Sequence, residues 1–166
     1  MNPRAINYVQ SDLLYFPIMI YALIFFAAYF GMEAVAWFSH KYIMHGIGWV
    51  FHKDHHRSKP GFFERNDVFF LLFSVPSAIC IYLGVSTEIT SLIFIGAGIT
   101  AYGATYFIIH DLFIHQRIKI WRNTDSAYLR AIRKAHKMHH KHQDKEGGEC
   151  FGLLWVPTKD IKEALR

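Results

Sequence analysis

Charge is what this chain lacks most clearly. Only 19% of its 166 residues are Asp, Glu, Lys or Arg, whereas 52% are hydrophobic and 17% aromatic. Residues 13–32, 68–87 and 89–109 carry no charged side chain at all. Each stretch is about 20 residues, the length an α-helix needs to cross roughly 30 Å of hydrocarbon. Three of them in so short a chain exclude an ordinary soluble domain and predict membrane spans.

Other absences narrow the chemistry. There are two cysteines, Cys80 inside the second stretch and Cys150 beyond the third, and no Cys-x-x-Cys pair. A thiolate zinc site is excluded, and no disulfide is expected between groups separated by a bilayer. No His-Glu-x-x-His motif is present, which argues against a zincin-type protease. The first apolar run has a single early positive charge, Arg4, and no small-residue cleavage site after it, so it is not expected to be a cleaved signal peptide.

The charge that is present is sorted. Three crossings would leave residues 33–67 and 110–166 on one side, with 17 of the 18 Lys and Arg; only Arg4 lies opposite. The positive-inside rule makes that side cytoplasmic and places the chain in the cytoplasmic (inner) membrane as a multi-pass protein. The net charge of +5 then reflects topology and anionic headgroups. Nucleic acid is not an expected partner, because no nucleic-acid-binding signature accompanies the charge.

Histidine is abundant, and it is patterned. Ten of eleven fall in four motifs: His40-x4-His45, His52-x2-His55-His56, His110-x4-His115 and His136-x2-His139-His140. The order is an approximate internal repeat of span, pair, linker and triplet, with every histidine on the cytoplasmic side. The expected fold is an all-α integral membrane protein, a single domain over 1–166, with three to four transmembrane helices and a cytoplasmic histidine-rich helical cap (33–67 and 110–166).

Local signals fill in the elements. Pro17 is expected in the first turns of helix one, and Pro76 inside helix two should kink it. Residues 58–61 (SKPG) read as a turn. Residues 123–126 (NTDS) offer caps for a helix over about 126–142. Residues 150–157 are apolar but too short to span, and 158–166 resemble a short amphipathic tail. At about 100° per residue, His136, His139 and His140 share a face with Leu129 and Ile132, while Arg130, Lys134, Lys137 and Lys141 lie opposite. His52, His55 and His56 likewise share one face.

Imidazole is the commonest neutral metal ligand, and residues at i, i+3 and i+4 of a helix project side by side. Ten imidazoles exceed what one ion takes and suit two. On an ideal α-helix His45 lies about 140° from His40, so both can ligate only if the helix bends or they serve different ions. His142 falls outside the pattern and reads as a surface residue. Ligating histidines anchor their second nitrogen on a carboxylate or carbonyl; Glu33, Asp54 and Asp111 are candidates for that role. All-nitrogen sites admit zinc, iron, copper or manganese. A metal pair beside apolar helices suits oxidation of a lipid C–H bond. Trp37, Phe38, Tyr102 and Tyr106 are candidate substrate-pocket walls, and Gly96, Thr100 and Ala104 either pack helices closely or shape a slot.

The four motifs resemble the fatty acid hydroxylase and sterol desaturase superfamily. The stretches 33–46 (EAVAWFSHKYIMHG), 63–70 (FERNDVFF), 110–117 (HDLFIHQR) and 149–154 (ECFGLL) resemble its carotenoid-hydroxylating branch. That resemblance implies a non-haem di-iron monooxygenase whose ten histidines hold two Fe ions, with Zn as a possible replacement. It implies hydroxylation at carbon 3 of the β-ionone rings of β-carotene, through β-cryptoxanthin to zeaxanthin. Dioxygen would be the co-substrate, and a ferredoxin-type reductant fed by NAD(P)H would supply electrons. A sterol or fatty acyl substrate stays open with the same site, as do a bis-histidine haem protein and a metal transporter. The haem reading wants an axial pair within the spans, and the transporter reading wants polar ligands along them. The spans here hold neither.

Overall fold

The computed structural model describes residues 3–57, 62–119, 121 and 123–165, with side chains from Phe16 onward. The turn expected at 58–61 lies outside the described residues. Among these residues there are helices and connecting loops but no strand.

Helix α1 runs Pro3–Phe38 and passes without a break into a π-helical segment, Ser39–Ile47. A short helix α2, Trp49–His56, carries the first triplet. After a single 3₁₀ turn at Arg65–Val68, α3 (Phe69–Ser86) and α4 (Thr90–Tyr106) form a hairpin. Helix α4 continues into a second π-helical segment, Phe107–Ile114. Helix α5, Ala127–Lys141, carries the second triplet, and α6, Thr158–Ala164, packs against it. Ser126 caps α5 by accepting the Leu129 N–H at 3.4 Å, a role the polar run at 123–126 anticipates.

Among the described residues, three helical stretches are long and apolar enough to cross a membrane: Phe16–Ile47, Arg65–Ser86 and Thr90–Ile114. The protein is a membrane protein, all-α, with three such helices and a histidine-rich cap. The first and third stretches extend past the predicted spans at 13–32 and 89–109, because each helix runs straight on into its histidine pair. Pro17 lies well inside α1 rather than in its first turns. Lipid offers no other partner for the backbone, so the helix persists through the proline. The outward faces of Phe16, Leu23, Phe26 and Phe30 on α1 and Phe70, Ile79 and Tyr82 on α3 are exposed large hydrophobics, as a lipid-facing surface should be.

Helix α4 is the centre of the bundle, packed on α3 on one side and α1 on the other. Two glycines permit this. A Cβ at Gly98 would lie 2.5 Å from Phe25 O on α1, and one at Gly96 would lie 2.8 Å from Ser77 O on α3. Ser77 Oγ donates to Gly96 O at 2.8 Å and lies 2.6 Å from Thr100 Oγ1. Gly96 and Thr100 therefore bind α3 to α4 rather than shaping a slot. Beneath the spans, Phe113, Ile114, Ala131, Ile132, Ala135, Leu153 and Val156 form the core of the cap. The apolar stretch 150–157 folds under the bundle and contributes Leu153 and Val156 to that core.

Candidate metal centre

The two π-helical segments explain the pair spacing. A π-helix closes i→i+5 bonds, which bring residues five apart onto one face. Gly48 N–H donates to Ile43 O at 2.8 Å across a kink at the non-helical Gly46 (φ −101°, ψ −118°), and His115 N–H to His110 O at 2.9 Å, both i→i+5 bonds. His40 and His45 consequently sit with ring centroids 5.3 Å apart, and His110 and His115 with centroids 4.5 Å apart. The local widening removes the conflict that an ideal α-helix poses.

The structure gathers nine of the ten patterned histidines into two groups whose ligand nitrogens converge. His40, His45, His52, His56 and His139 form the first cluster; His55, His115, His136 and His140 form the second. Within each group these atoms lie within 4.8 Å of one another. His110 adjoins the second cluster through His55, with the two Nε2 atoms 3.1 Å apart. The triplets do not stay whole. Each sends its outer histidines to the cluster of its own pair and its middle histidine, His55 or His139, across to the other. The internal repeat therefore folds as two interlocked halves.

Which nitrogen faces inward follows from the partners of the other. In the first cluster every Nδ1–H donates to an oxygen: His40 to Phe151 O (3.0 Å), His45 to Lys145 O (3.1 Å), His52 to Asn66 Oδ1 (2.7 Å), His56 to His142 O (2.9 Å) and His139 to Glu149 O (2.7 Å). Carbonyl oxygens only accept, so Nδ1 carries the proton and each Nε2 is a bare lone pair. Yet the Nε2 atoms face each other at 3.1 Å for His40–His52, 3.2 Å for His45–His139 and 3.1 Å for His52–His56. No proton is left to join them. Lone pairs so placed repel unless a cation lies between them.

The spacing fits one. Two nitrogens each about 2.1 Å from an ion lie about 3.0 Å apart at a right angle and about 3.4 Å apart at a tetrahedral one. The separations above, with 2.9 Å for His115–His136 and 2.8 Å for His136–His140, match the right-angled case. Burial keeps the rings neutral: it pushes His52 and His139 down to about 3, and His56 and His115 down to about 4. Burial and the neighbouring imidazoles also hold His55 and His136 far below the ordinary histidine range. Neutral imidazole is the form that binds metal.

The other candidates are placed differently. Glu33 touches no patterned histidine; its Oε1 accepts the Leu153, Leu154 and Trp155 N–H groups, each at 2.9 Å, and its Oε2 accepts the Tyr102 hydroxyl at 2.7 Å. It thereby clamps the loop whose Phe151 and Glu149 carbonyls anchor His40 and His139. Asp54 is buried with Arg65 Nε at 3.7 Å. Asp111 pairs with Arg117 Nε at 2.7 Å, and its Oδ2 lies 3.6 Å from His110 Nδ1, too far for a hydrogen bond. His142 is half-buried, and its carbonyl anchors His56. The side chains that do anchor histidines are Asn66, on His52 Nδ1, and Glu64, 2.8 Å from His55 Nδ1; both lie outside the histidine motifs. The polar run Glu64–Asp67, standing between a turn and a span, was the signal available.

A cavity of about 10 Å³, room for about one water, lies beside both clusters. It is lined by Ala36, Met44, Phe73 and Tyr106, by His40, His110 and His136, and by Phe151–Leu153. Tyr106 lies against the His110 ring, with centroids 4.6 Å apart, and Tyr102 is buried beside Met32 and Ala36. Trp37 and Phe38 point outward, 39% and 53% exposed, against Tyr42 rather than the pocket.

Buried neutral nitrogens in two convergent sets, at the ends of helices apolar enough to cross a membrane, fit a metal-dependent oxygenase. The profile of the fatty acid hydroxylase family matches residues 25–160, and the chain belongs to that family, a hydroxylating oxidoreductase. It is 46% identical over 136 residues to a beta-carotene hydroxylase of Pantoea ananas, covering 82% of this chain and 77% of that one. It is 36% identical to a beta-carotene hydroxylase of Pseudescherichia vulneris (89% and 84% covered). It is 34% identical to one from a Paracoccus species (87% and 90% covered). No solved structure matches the chain.

Proposed function

We propose that this protein hydroxylates carbon 3 of the β-ionone rings of β-carotene, passing through β-cryptoxanthin to zeaxanthin. The observation that carries the reading is the pair of buried, convergent histidine clusters at the ends of helices apolar enough to cross a membrane. Resemblance to three bacterial beta-carotene hydroxylases over most of the chain supports the substrate.

The ten histidines would hold two Fe ions. Five nitrogen donors in the first cluster exceed the four of a tetrahedral zinc site, although Zn could take the same nitrogens as a replacement. Iron bound there supplies the oxidising power to break an unactivated C–H bond. Each turnover takes one C–H, one dioxygen, two electrons and two protons, and yields one C–OH and one water. The electrons would come from a ferredoxin-type reductant fed by NAD(P)H. The chain's own residues do the rest. The Nδ1 anchors fix the rings before any ion arrives. Ala36, Met44 and Phe73 line the cavity beside His40, His110 and His136 with apolar side chains. The concentration of Lys and Arg on the cap side supports a cytoplasmic membrane location with the site facing the cytoplasm.

The test is expression in cells that accumulate β-carotene under ¹⁸O-labelled dioxygen. Pigment gaining one and then two labelled oxygens, and losing that gain in His139→Ala, is the expected result. Unchanged pigment from folded, iron-loaded protein with a working electron donor would refute the carotenoid assignment. Sterols and acyl lipids would then be tested next.

A further inference from the structure

The two clusters share a plan but are backed by different chemistry. All five histidines of the first donate Nδ1–H to uncharged oxygens, four main-chain carbonyls and the Asn66 amide. The second contains a histidine backed by a carboxylate: His55 Nδ1 lies 2.8 Å from Glu64 Oε2. The contrast is sharpest between the two crossing histidines, which occupy equivalent places in the repeat. His139 rests on the carbonyl of Glu149, whereas His55 rests on the side chain of Glu64.

Glu64 is held in place by design of its surroundings. Arg117, only 11% exposed, grips Asp67 with both terminal nitrogens at 2.6 and 3.1 Å. Its Nε lies 2.7 Å from Asp111 Oδ1, its Nη1 donates to Phe62 O at 3.1 Å, and its Nη2 lies 3.7 Å from Glu64 Oε2. Glu64 and Asp67 also bond reciprocally across the 3₁₀ turn, side chain to backbone. Arg117 stands two residues after His115, in the second half of the repeat. It therefore ties that half to the turn that anchors the ligand crossing over from the first.

A carboxylate behind a ligating imidazole raises the ring's basicity and fixes its orientation. We infer that Glu64, positioned by Arg117, makes His55 an electron-rich ligand with no counterpart in the first cluster, so that the two metal positions are inequivalent. The second position holds its ion more tightly and favours its oxidised form. Glu64 and Arg117 are positioning residues. The inference rests on the two-ion reading above.

The test loads the full-length protein in detergent with ⁵⁷Fe(II) and follows iron release to a chelator together with the Mössbauer spectrum. Wild type should hold two irons per chain in two distinguishable environments. In Glu64→Gln, which keeps the shape and removes the charge, one iron should leave about 10–100-fold faster and its quadrupole doublet alone should change. Arg117→Gln should shift the same doublet, and Arg117→Lys should lie closer to wild type. Asn66→Asp places a carboxylate behind His52 and should slow release of the other iron. Parallel loss of both irons in Glu64→Gln, or no change in either, would overturn the inference. Should Glu64→Gln not fold, Asn66→Asp decides: slower release of one iron supports the inference, and unchanged release overturns it. Fewer than two irons in the wild type would instead overturn the two-ion reading itself.

Discussion

Removing Glu33 should empty the first cluster from a distance. Its carboxylate sits on α1 and accepts three consecutive main-chain N–H groups, Leu153 to Trp155, together with the Tyr102 hydroxyl. Leu153 and Tyr102 are 5% and 2% exposed, so in Glu33→Ala those two donors have no water to turn to. An orphaned buried donor costs about 1–3 kcal/mol, so the two together cost about 2–6 kcal/mol. Spent on local opening of residues 149–155, even 2 kcal/mol raises the open population by about 30-fold. Opening withdraws Phe151 O from His40 and Glu149 O from His139, the anchors of two first-cluster ligands. Loss of such anchors weakens metal binding by about 10–100-fold. Glu33→Gln retains an oxygen for the backbone donors and should fall between wild type and Glu33→Ala. The assay is chelator competition on the metal-loaded protein, paired with thermal unfolding in detergent. Glu33→Ala that melts with wild type and keeps both ions with wild-type release rates would refute the clamp.

Other outcomes follow from the same contacts. Gly98→Val should push α1 off α4, because a Cβ there meets the Phe25 carbonyl at 2.5 Å, at a cost of about 1–3 kcal/mol. Gly103→Ala, with nothing within 4 Å, should be neutral or slightly stabilising in the same unfolding experiment. The metal-free protein should weaken in mild acid. Burial pushes His52 and His139 to about 3 and His56 and His115 to about 4, whereas the unfolded chain titrates near 6.5. Below that value the unfolded state binds more protons, so stability falls as pH drops from about 6.5 toward 4; melting temperatures that stay flat from pH 7.5 to 5 would contradict it. Ser126→Ala should cost about 1 kcal/mol of stability through loss of the α5 cap, with little effect on metal content.

Much of the fold was legible because lipid imposes simple rules. Charge-free stretches mark the spans, and Ser126 and the helical periodicity mark α5 to within a residue or two. The histidine motifs identify a metal centre. What could not be read is how the two halves interlock. On an α-helix His52 and His56 diverge by about 40° while His55 lies about 100° from His56, so a triplet has two edges. Which edge meets which ion depends on packing against the other half. The π-helical segments were hinted at by the His-x4-His spacing, but an α-helical reading set His40 and His45 apart. Most Nδ1 anchors are main-chain carbonyls between residues 142 and 151, which side-chain patterns do not reveal. A carboxylate at the end of a span invited assignment to a histidine, yet Glu33 meets backbone N–H groups that come from 120 residues further along the chain. Trp37 and Phe38 precede a ligand in sequence but point away from the pocket, because the continuous helix turns them outward.

The interlocked arrangement is open to one direct measurement, anomalous diffraction from crystals of the iron-loaded protein. Two peaks are expected. One should lie within bonding distance of Nε2 of His40, His45, His52, His56 and His139, and the other among the Nε2 atoms of His55, His110, His115, His136 and His140. A single peak, or an ion held by all three histidines of one triplet, would contradict the account.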